Sequence, residues 1–218
     1  MTEREFGRSQ AAAARAWDEE YSSRGCLWGR HTRDLPCLFE NAAVLELGCG
    51  NGSTVSAMMG QRWMITALDF SGNAVARSCR IPGAASRIHF LVADACSLPF
   101  LDCSFDAIFA SHVIGHMLRP GRSRIALESA RTLRKGGRLF FCGFGVDDMR
   151  FGRGKEVEEH TFLRRGSVLN HYFTGDEVRQ LFGMLTPVSV RTHRWCMMIR
   201  GTEMQRSVIE ATFMKEPA

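Results

Sequence analysis

Lysine is nearly missing from this chain of 218 residues: Lys135, Lys155 and Lys215 are three among 28 basic positions, and arginine fills the rest. The arginines are scattered among acids rather than gathered in runs, and the formal net charge of +5 is modest. That pattern describes a mixed, solvated surface and argues against a nucleic-acid face, although arginines near a site entrance would favour an anionic substrate. Long apolar runs are also absent. The best of them, residues 139–146, is far too short for a membrane span. Eight cysteines include no C-x-x-C pair, and the nearest two, Cys96 and Cys103, stand seven apart. A zinc ribbon or a disulfide scaffold is thereby set aside, and Cys142 and Cys196, in apolar strand-like runs, read as small hydrophobes. The opening Met1-Thr2-Glu3-Arg4-Glu5 is too charged for a signal peptide, so reduced thiols and a cytoplasmic location are expected.

What is present is a regular alternation of short apolar strands and helical stretches. An alanine-rich helix is expected over 9–22 and a short one over 31–39, interrupted by Pro36. From residue 43 the pattern gives strands at 43–47, 63–68, 87–92 and 105–110, with helices through about Met59, over 72–79 and over 121–133. Arg134-Lys135-Gly136-Gly137 reads as a helix C-cap leading into a fifth strand at 138–142. This is an α/β fold with a doubly wound, mostly parallel sheet covered by helices on both faces. The stretch 147–166 is polar and charge-rich, and is expected to be a long excursion over the surface of the kind that forms lids or substrate loops. Thr174 and Glu177 form a capping box for a helix running to about Phe182. Two β-rich stretches, 187–199 and 207–215, close the chain as an antiparallel pair. One domain over 1–218 is expected, with 1–40 as a helical cover and 147–172 as a substrate-side insertion.

The densest signal is Val44-Leu45-Glu46-Leu47-Gly48-Cys49-Gly50-Asn51-Gly52-Ser53, a strand running through a glycine-rich turn into a helix. Glycines let the backbone pass close to a ligand, and a helix start favours negative groups. The dinucleotide fingerprint G-x-G-x-x-G would need its third glycine at Ser53, and no P-loop lysine follows. Asp69 ends the second strand, 21 residues past Gly48, near the spacing at which an acid reads ribose hydroxyls. Its alternative role is as N-cap of 72–79, for which Ser71 is the better placed residue. Asp94 ends the third strand, where a carboxylate would accept from an exocyclic amine of a base or else serve a turn.

The segments VLELGCGNG, LDFSGNAV, VADACSLPF, FDAIFASHVIGHM and LRKGGRLFF, in this order, resemble the successive motifs of class I S-adenosylmethionine-dependent methyltransferases over roughly residues 43–144. The resemblance implies a Rossmann-like seven-stranded sheet with an antiparallel last strand. It also implies S-adenosylmethionine as cofactor and S-adenosylhomocysteine as product. Glu46 and the Gly48-Cys49-Gly50 backbone would hold the methionine part, Asp69 the ribose, Phe70 a face of adenine, Asp94 and Ala95 its edge. Ser111 and His112 would face the methionine part and the methyl group. Trp17-Asp18-Glu19-Glu20-Tyr21 with Leu27-Trp28-Gly29 resembles an amino-terminal cover, which makes Tyr21 and Trp28 cofactor contacts or else core aromatics. His171-Tyr172-Phe173-Thr174 is similar to a stretch of thiopurine- and tellurite-type enzymes. Candidate bases are His112, His116, His171 and Tyr172. His112 and His116 stand four apart, but no H-E-x-x-H glutamate or third ligand accompanies them, so no metal is expected. No Asn-Pro-Pro-Tyr motif follows the fourth strand. The expected acceptor is therefore a small molecule offering O, N, S or another chalcogen to a monomer or homodimer, without nucleic acid or membrane. A silent cofactor-binding protein and an RNA methyltransferase are the alternatives.

Overall fold

The computed structural model of the protein describes residues 3–24, 35–164 and 168–217. Helix α1 (Glu3–Arg24) lies ahead of an alternating series. That series comprises β1 (Ala43–Leu47), α2 (Ser53–Met58), β2 (Met64–Asp69), α3 (Gly72–Cys79), β3 (Ile88–Val92), β4 (Phe105–Ser111), a 3-10 turn (Ile114–His116), α4 (Arg119–Thr132) and β5 (Leu133–Phe144). Next come β6 (Lys155–Glu158), β7 (Thr161–Leu163), β8 (Leu169–His171) and α5 (Gly175–Leu181), and then β9 (Thr186–Ile199) and β10 (Thr202–Met214).

Seven strands form one sheet in the order β3-β2-β1-β4-β5-β10-β9. The five from β1 to β5 run parallel, and β10 is antiparallel to both β5 and β9. Parallel strands buried on both faces need apolar side chains on both, and β4 supplies them by alternation. Ala107 and Phe109 join Val44 and Ile65 in one core, whereas Ile108 and Ala110 join Leu45 and Leu68 in the other. Each fully buried Leu or Ile of this kind stabilises the fold by about 1.5–3 kcal/mol relative to an exposed one. The strand order reverses between β1 and β4, so the carboxyl ends of these strands diverge and leave a crevice there.

Several local expectations differ from the structure. Residues 35–39 are not helical, and 31–34 lie outside the described residues. Gly136-Gly137 does not cap α4. Leu133 turns extended directly after Thr132, and residues 134–137 bulge out of β5. The carbonyls at the helix end accept instead from the Lys215 ammonium, at 2.7 Å from Ala130 O and 2.8 Å from Leu133 O. Within the excursion after Asp147, β6, β7 and β8 form their own antiparallel sheet. Cys142 is buried as expected, but Cys196 is exposed on the edge strand β9. The final turn is Arg200-Gly201, both with positive φ, so β9 ends at Ile199 as expected while β10 begins at Thr202, ahead of the expected 207. Among the described residues, no helix is long and apolar enough to cross a membrane.

Candidate functional site

A cavity of about 650 Å³ opens at the carboxyl ends of the parallel strands. Its first wall is the turn after β1. Gly48 and Gly50 hold φ of 69° and 53°, a backbone region that side chains disfavour. A Cβ at Gly48 would come within 2.7 Å of Val113 Cγ2, and one at Gly50 within 2.6 Å of the Tyr21 hydroxyl. The turn is pinned from below, because Cys49 N donates to Leu68 O at 2.8 Å and Ser78 Oγ donates to Gly50 O at 3.0 Å.

Asp69 joins this turn to β2. Its Oδ2 accepts from Gly50 N at 3.0 Å and its Oδ1 from Ser71 N at 2.9 Å. Burial still outweighs those bonds, and with some help from the Asp18 charge it pushes the carboxyl up to about 6. Ser71, not Asp69, is the N-cap of α3, accepting from Ala74 N through its hydroxyl. Asp94 lines the cavity while its Oδ1 accepts from Cys96 N at 2.8 Å, so the turn role and the wall role coexist in one side chain. Phe70, Ala95, Ser111 and Cys49 also line the wall. Burial, then the Asp69 charge, pushes the Cys49 thiol up, which keeps it neutral rather than nucleophilic.

Helix α1 closes one side. Trp17 and Tyr21, one helical turn apart, pack with Ala74, Phe70 and Val168. Asp18 fastens the helix: it accepts from Ser71 Oγ at 2.6 Å, Asn73 N at 3.1 Å and Asn73 Nδ2 at 2.8 Å. These bonds hold its carboxyl below the usual range. Asp18→Ala should therefore weaken any ligand that α1 covers about three- to tenfold, with little change in the melting temperature. Equal ligand affinity in calorimetry would show that the Asp18 clamp has no part in the site.

The four candidate bases separate. His112, at φ 56°, lines the cavity with its ring 4.3 Å from that of Phe144 and its Nε2 3.6 Å from Cys142 Sγ. His116 also lines it, but its Nδ1 is 2.7 Å from Leu169 O and its ring stands edge-on to Trp17 at 4.5 Å. Burial pulls His116 down to about 4, so it is neutral at pH 7 and a poor base. It bridges α1 and β8. With His112 outside any helix, the four-residue interval does not set the two rings on one helical face, and among the described residues no three metal-ligating side chains cluster. His171 is absent from the cavity wall: its Nδ1 meets Thr161 Oγ1 and its Nε2 meets Glu177 Oε1, both at 2.7 Å. Tyr172 is absent as well, its hydroxyl donating to Arg150 O at 2.9 Å. These are packing and hydrogen-bonding residues of the small sheet, and Glu177, besides engaging His171, completes the capping box: its N–H donates to Thr174 Oγ1 at 3.1 Å and its carboxylate accepts from the Thr174 backbone N–H. Glu46 is buried beneath the turn and lies outside the wall. Trp28 lies outside the described residues.

The sequence reading missed the opposite wall. It is built by Phe144 at the end of β5 and Arg150 beyond it, by His193, Trp195 and Met197 on β9, and by Arg206, Val208 and Glu210 on β10. Their i, i+2 spacing on each strand was the available signal, since alternate residues share a face. Trp17 was equally legible from its i, i+4 relation to Tyr21.

A family model described as "Methyltransferase domain" matches residues 45–141. The chain is 34% identical to 27-O-demethylrifamycin SV methyltransferase of Amycolatopsis mediterranei over 159 residues, which are 70% of this chain and 58% of that protein. It is 27% identical to the tRNA N(3)-methylcytidine methyltransferase Mettl2 of Drosophila melanogaster, over 95% of this chain and 73% of that one. Among solved structures, a SAM-dependent methyltransferase from Methanosarcina mazei superposes with a TM-score of 0.67 at 25% identity, covering 83% of this chain and 95% of that one. The chain thus spans under two thirds of the length of the rifamycin enzyme it matches.

Proposed function

This chain belongs to the class I S-adenosylmethionine-dependent methyltransferases, and from that premise we propose that it transfers a methyl group to a small-molecule acceptor held in the same cavity as the cofactor. The carrying observation is that one cavity has two chemically different ends, a glycine turn with Asp69 and Asp94 at one and an aromatic, arginine-bearing wall at the other. Its volume suits small ligands, which occupy pockets of roughly 300–1,000 Å³.

The residues present fit the cofactor. At Gly48 and Gly50 there is no side chain to stand between the backbone and a ligand. Two further lone-pair directions of the Asp69 carboxylate suit the paired hydroxyls of a ribose, and Asp94 suits the amine of adenine. Phe70 and Ala95 would flank the base, the Gly48-Cys49-Gly50 backbone and Ser111 would hold the methionine part, and Tyr21 would cover it. When bound, S-adenosylmethionine supplies a methyl group already activated as a sulfonium. The chain's own task is therefore alignment and exclusion of water, which together supply roughly 7–11 kcal/mol of such a barrier. Helix α1 and the β6–β8 excursion serve the exclusion, meeting where Val168 packs against the cluster of Trp17, Tyr21 and Ala74. His112 is the residue best placed to take a proton from an acceptor that carries one, a contribution of about 10²–10⁴-fold where it is needed.

The Asp69 carboxyl gives this reading a pH signature. Ribose hydroxyls donate best to the ionised form, so cofactor binding expels the proton, and affinity falls as pH drops through about 6. Calorimetry at pH 7.5 and 5 should find binding up to about tenfold weaker at the lower pH, and Asp69→Asn should be weaker throughout with the pH dependence flattened. An unchanged slope in Asp69→Asn would remove Asp69 from the ribose site.

Incubation with S-adenosylmethionine and a panel of thiols, phenols, amines and chalcogen oxyanions, read as S-adenosylhomocysteine release, tests turnover. A second reading, an RNA acceptor, is favoured by the 95% coverage of this chain in the match to the tRNA enzyme. It requires tight tRNA binding whose logarithm falls steeply with salt. Weak binding in filter assays at physiological salt would exclude it.

A further inference from the structure

At the end of the cavity away from the glycine turn, Asp148 holds two arginines at once. Its Oδ1 accepts from Arg150 Nε and its Oδ2 from Arg206 Nε, each at 2.8 Å. The Asp148 side chain is fully buried, and those of Arg150 and Arg206 are only 15% and 17% exposed. Backbone N–H groups of Arg150 and Ser207 bond the same carboxylate at 3.1 and 3.2 Å. One carboxylate thus answers two guanidinium ions, and a single positive charge is left over within this cluster of three side chains. Both arginines are gripped through Nε, and Arg206 Nη1 lies 3.7 Å from Met197 Sδ. Arg150 Nη2 is buried without a hydrogen-bond partner, a costly arrangement for a charged donor unless a ligand completes it. Phe144 occupies one face of Arg150 at 3.9 Å and Trp195 stands 5.6 Å from Arg206, so flat apolar surface adjoins the charge. Close by, Glu210 lies 3.3 Å from His193, which answers its charge only when protonated, and Asp147 faces Arg194 at 2.7 Å.

We infer that Arg150 and Arg206 form an anion subsite that selects an acceptor carrying a carboxylate on a flat apolar body. This rests on the methyltransferase reading for the word acceptor, but the binding itself does not. The charge layout also sets direction. Asp69 and Asp94 repel an anion from the cofactor end, so the carboxylate lodges at the arginines and the opposite end of the molecule points toward Ser111 and His112. Guanidinium groups suit carboxylates because their paired N–H donors match the two oxygens.

The test is calorimetry on the full chain with naphthoate and with naphthamide, its neutral counterpart of similar shape, each with and without saturating S-adenosylhomocysteine. Naphthoate should bind roughly tenfold more tightly than the amide. Arg206→Gln and Arg150→Gln should erase that difference without altering S-adenosylhomocysteine affinity, and Arg194→Gln should preserve it. Equal binding of the two probes to the unaltered chain overturns the subsite, and this arm needs no variant to fold. A preference that survives in both Gln variants also overturns it, as does displacement of naphthoate by a short single-stranded RNA, which would assign the arginines to phosphates. If S-adenosylhomocysteine fails to bind while naphthoate still prefers the arginines, the subsite stands and the methyltransferase reading falls.

Discussion

Gly50→Ala should weaken S-adenosylhomocysteine binding roughly 100-fold, the equivalent of about 2.7 kcal/mol. Two costs combine. The residue sits at φ 53°, and a Cβ there lands 2.6 Å from the Tyr21 hydroxyl. Tyr21 cannot yield cheaply, because α1 is tied to α3 through Asp18, Ser71 and Asn73. Relief must come from the turn, and moving it pulls Gly50 N away from Asp69, the group proposed to read the ribose. Gly60→Ala is the control, since a Cβ there meets nothing within 4 Å. Calorimetry on both variants decides the matter, and Gly50→Ala binding like the control would separate the turn from the cofactor.

Arg122→Ala should cost about 3–5 kcal/mol of stability, a fall in melting temperature of roughly 6–20 °C for a chain of this size. Arg122 is only 4% exposed. Its Nη1 donates to Met117 O at 2.9 Å and lies 3.3 Å from Glu158 Oε2, and its Nη2 lies 3.8 Å from Glu177 Oε1. Burial, with a smaller push from the Arg119 charge, pulls its guanidinium down, and the two glutamates restore part of that loss. Because Glu177 also takes the His171 bond, one guanidinium ties α4 to β6, β8 and α5. Its removal leaves two partly buried carboxylates, with side chains 29% and 30% exposed, without their cation and Met117 O without its donor, which is costlier than never having built the pair. Arg62→Ala breaks an exposed pair, with side chains 80% and 59% accessible, and should move the melting temperature hardly at all. Equal thermal shifts in the two variants would contradict the buried network.

The parallel half of the sheet was legible because each strand is a short apolar run closed by a turn signal, and β1 and α3 carry the bounds read from the sequence. Ser71 and Thr174 were legible as caps because a hydroxyl just ahead of a helical stretch has a local job. What escaped needed distant partners. Lys215 caps the end of α4 from 85 and 82 positions away, at Ala130 O and Leu133 O, and no local rule connects them. His171 and Tyr172 carried the right chemistry at the wrong depth, and only the packing of β6, β7 and β8 tells their burial from an active-site position. Arg150 and Arg206 are 56 positions apart, and Asp148 alone brings their charges together.

The central claim, that the glycine turn with Asp69 and Asp94 holds S-adenosylmethionine, is tested most directly by titrating the purified chain with S-adenosylhomocysteine in a calorimeter. A saturable one-to-one isotherm with a Kd of roughly 1–100 µM is expected, weakened in Asp69→Ala by more than about 1 kcal/mol. No measurable binding by the folded chain, or an isotherm that Asp69→Ala leaves unchanged, would contradict it.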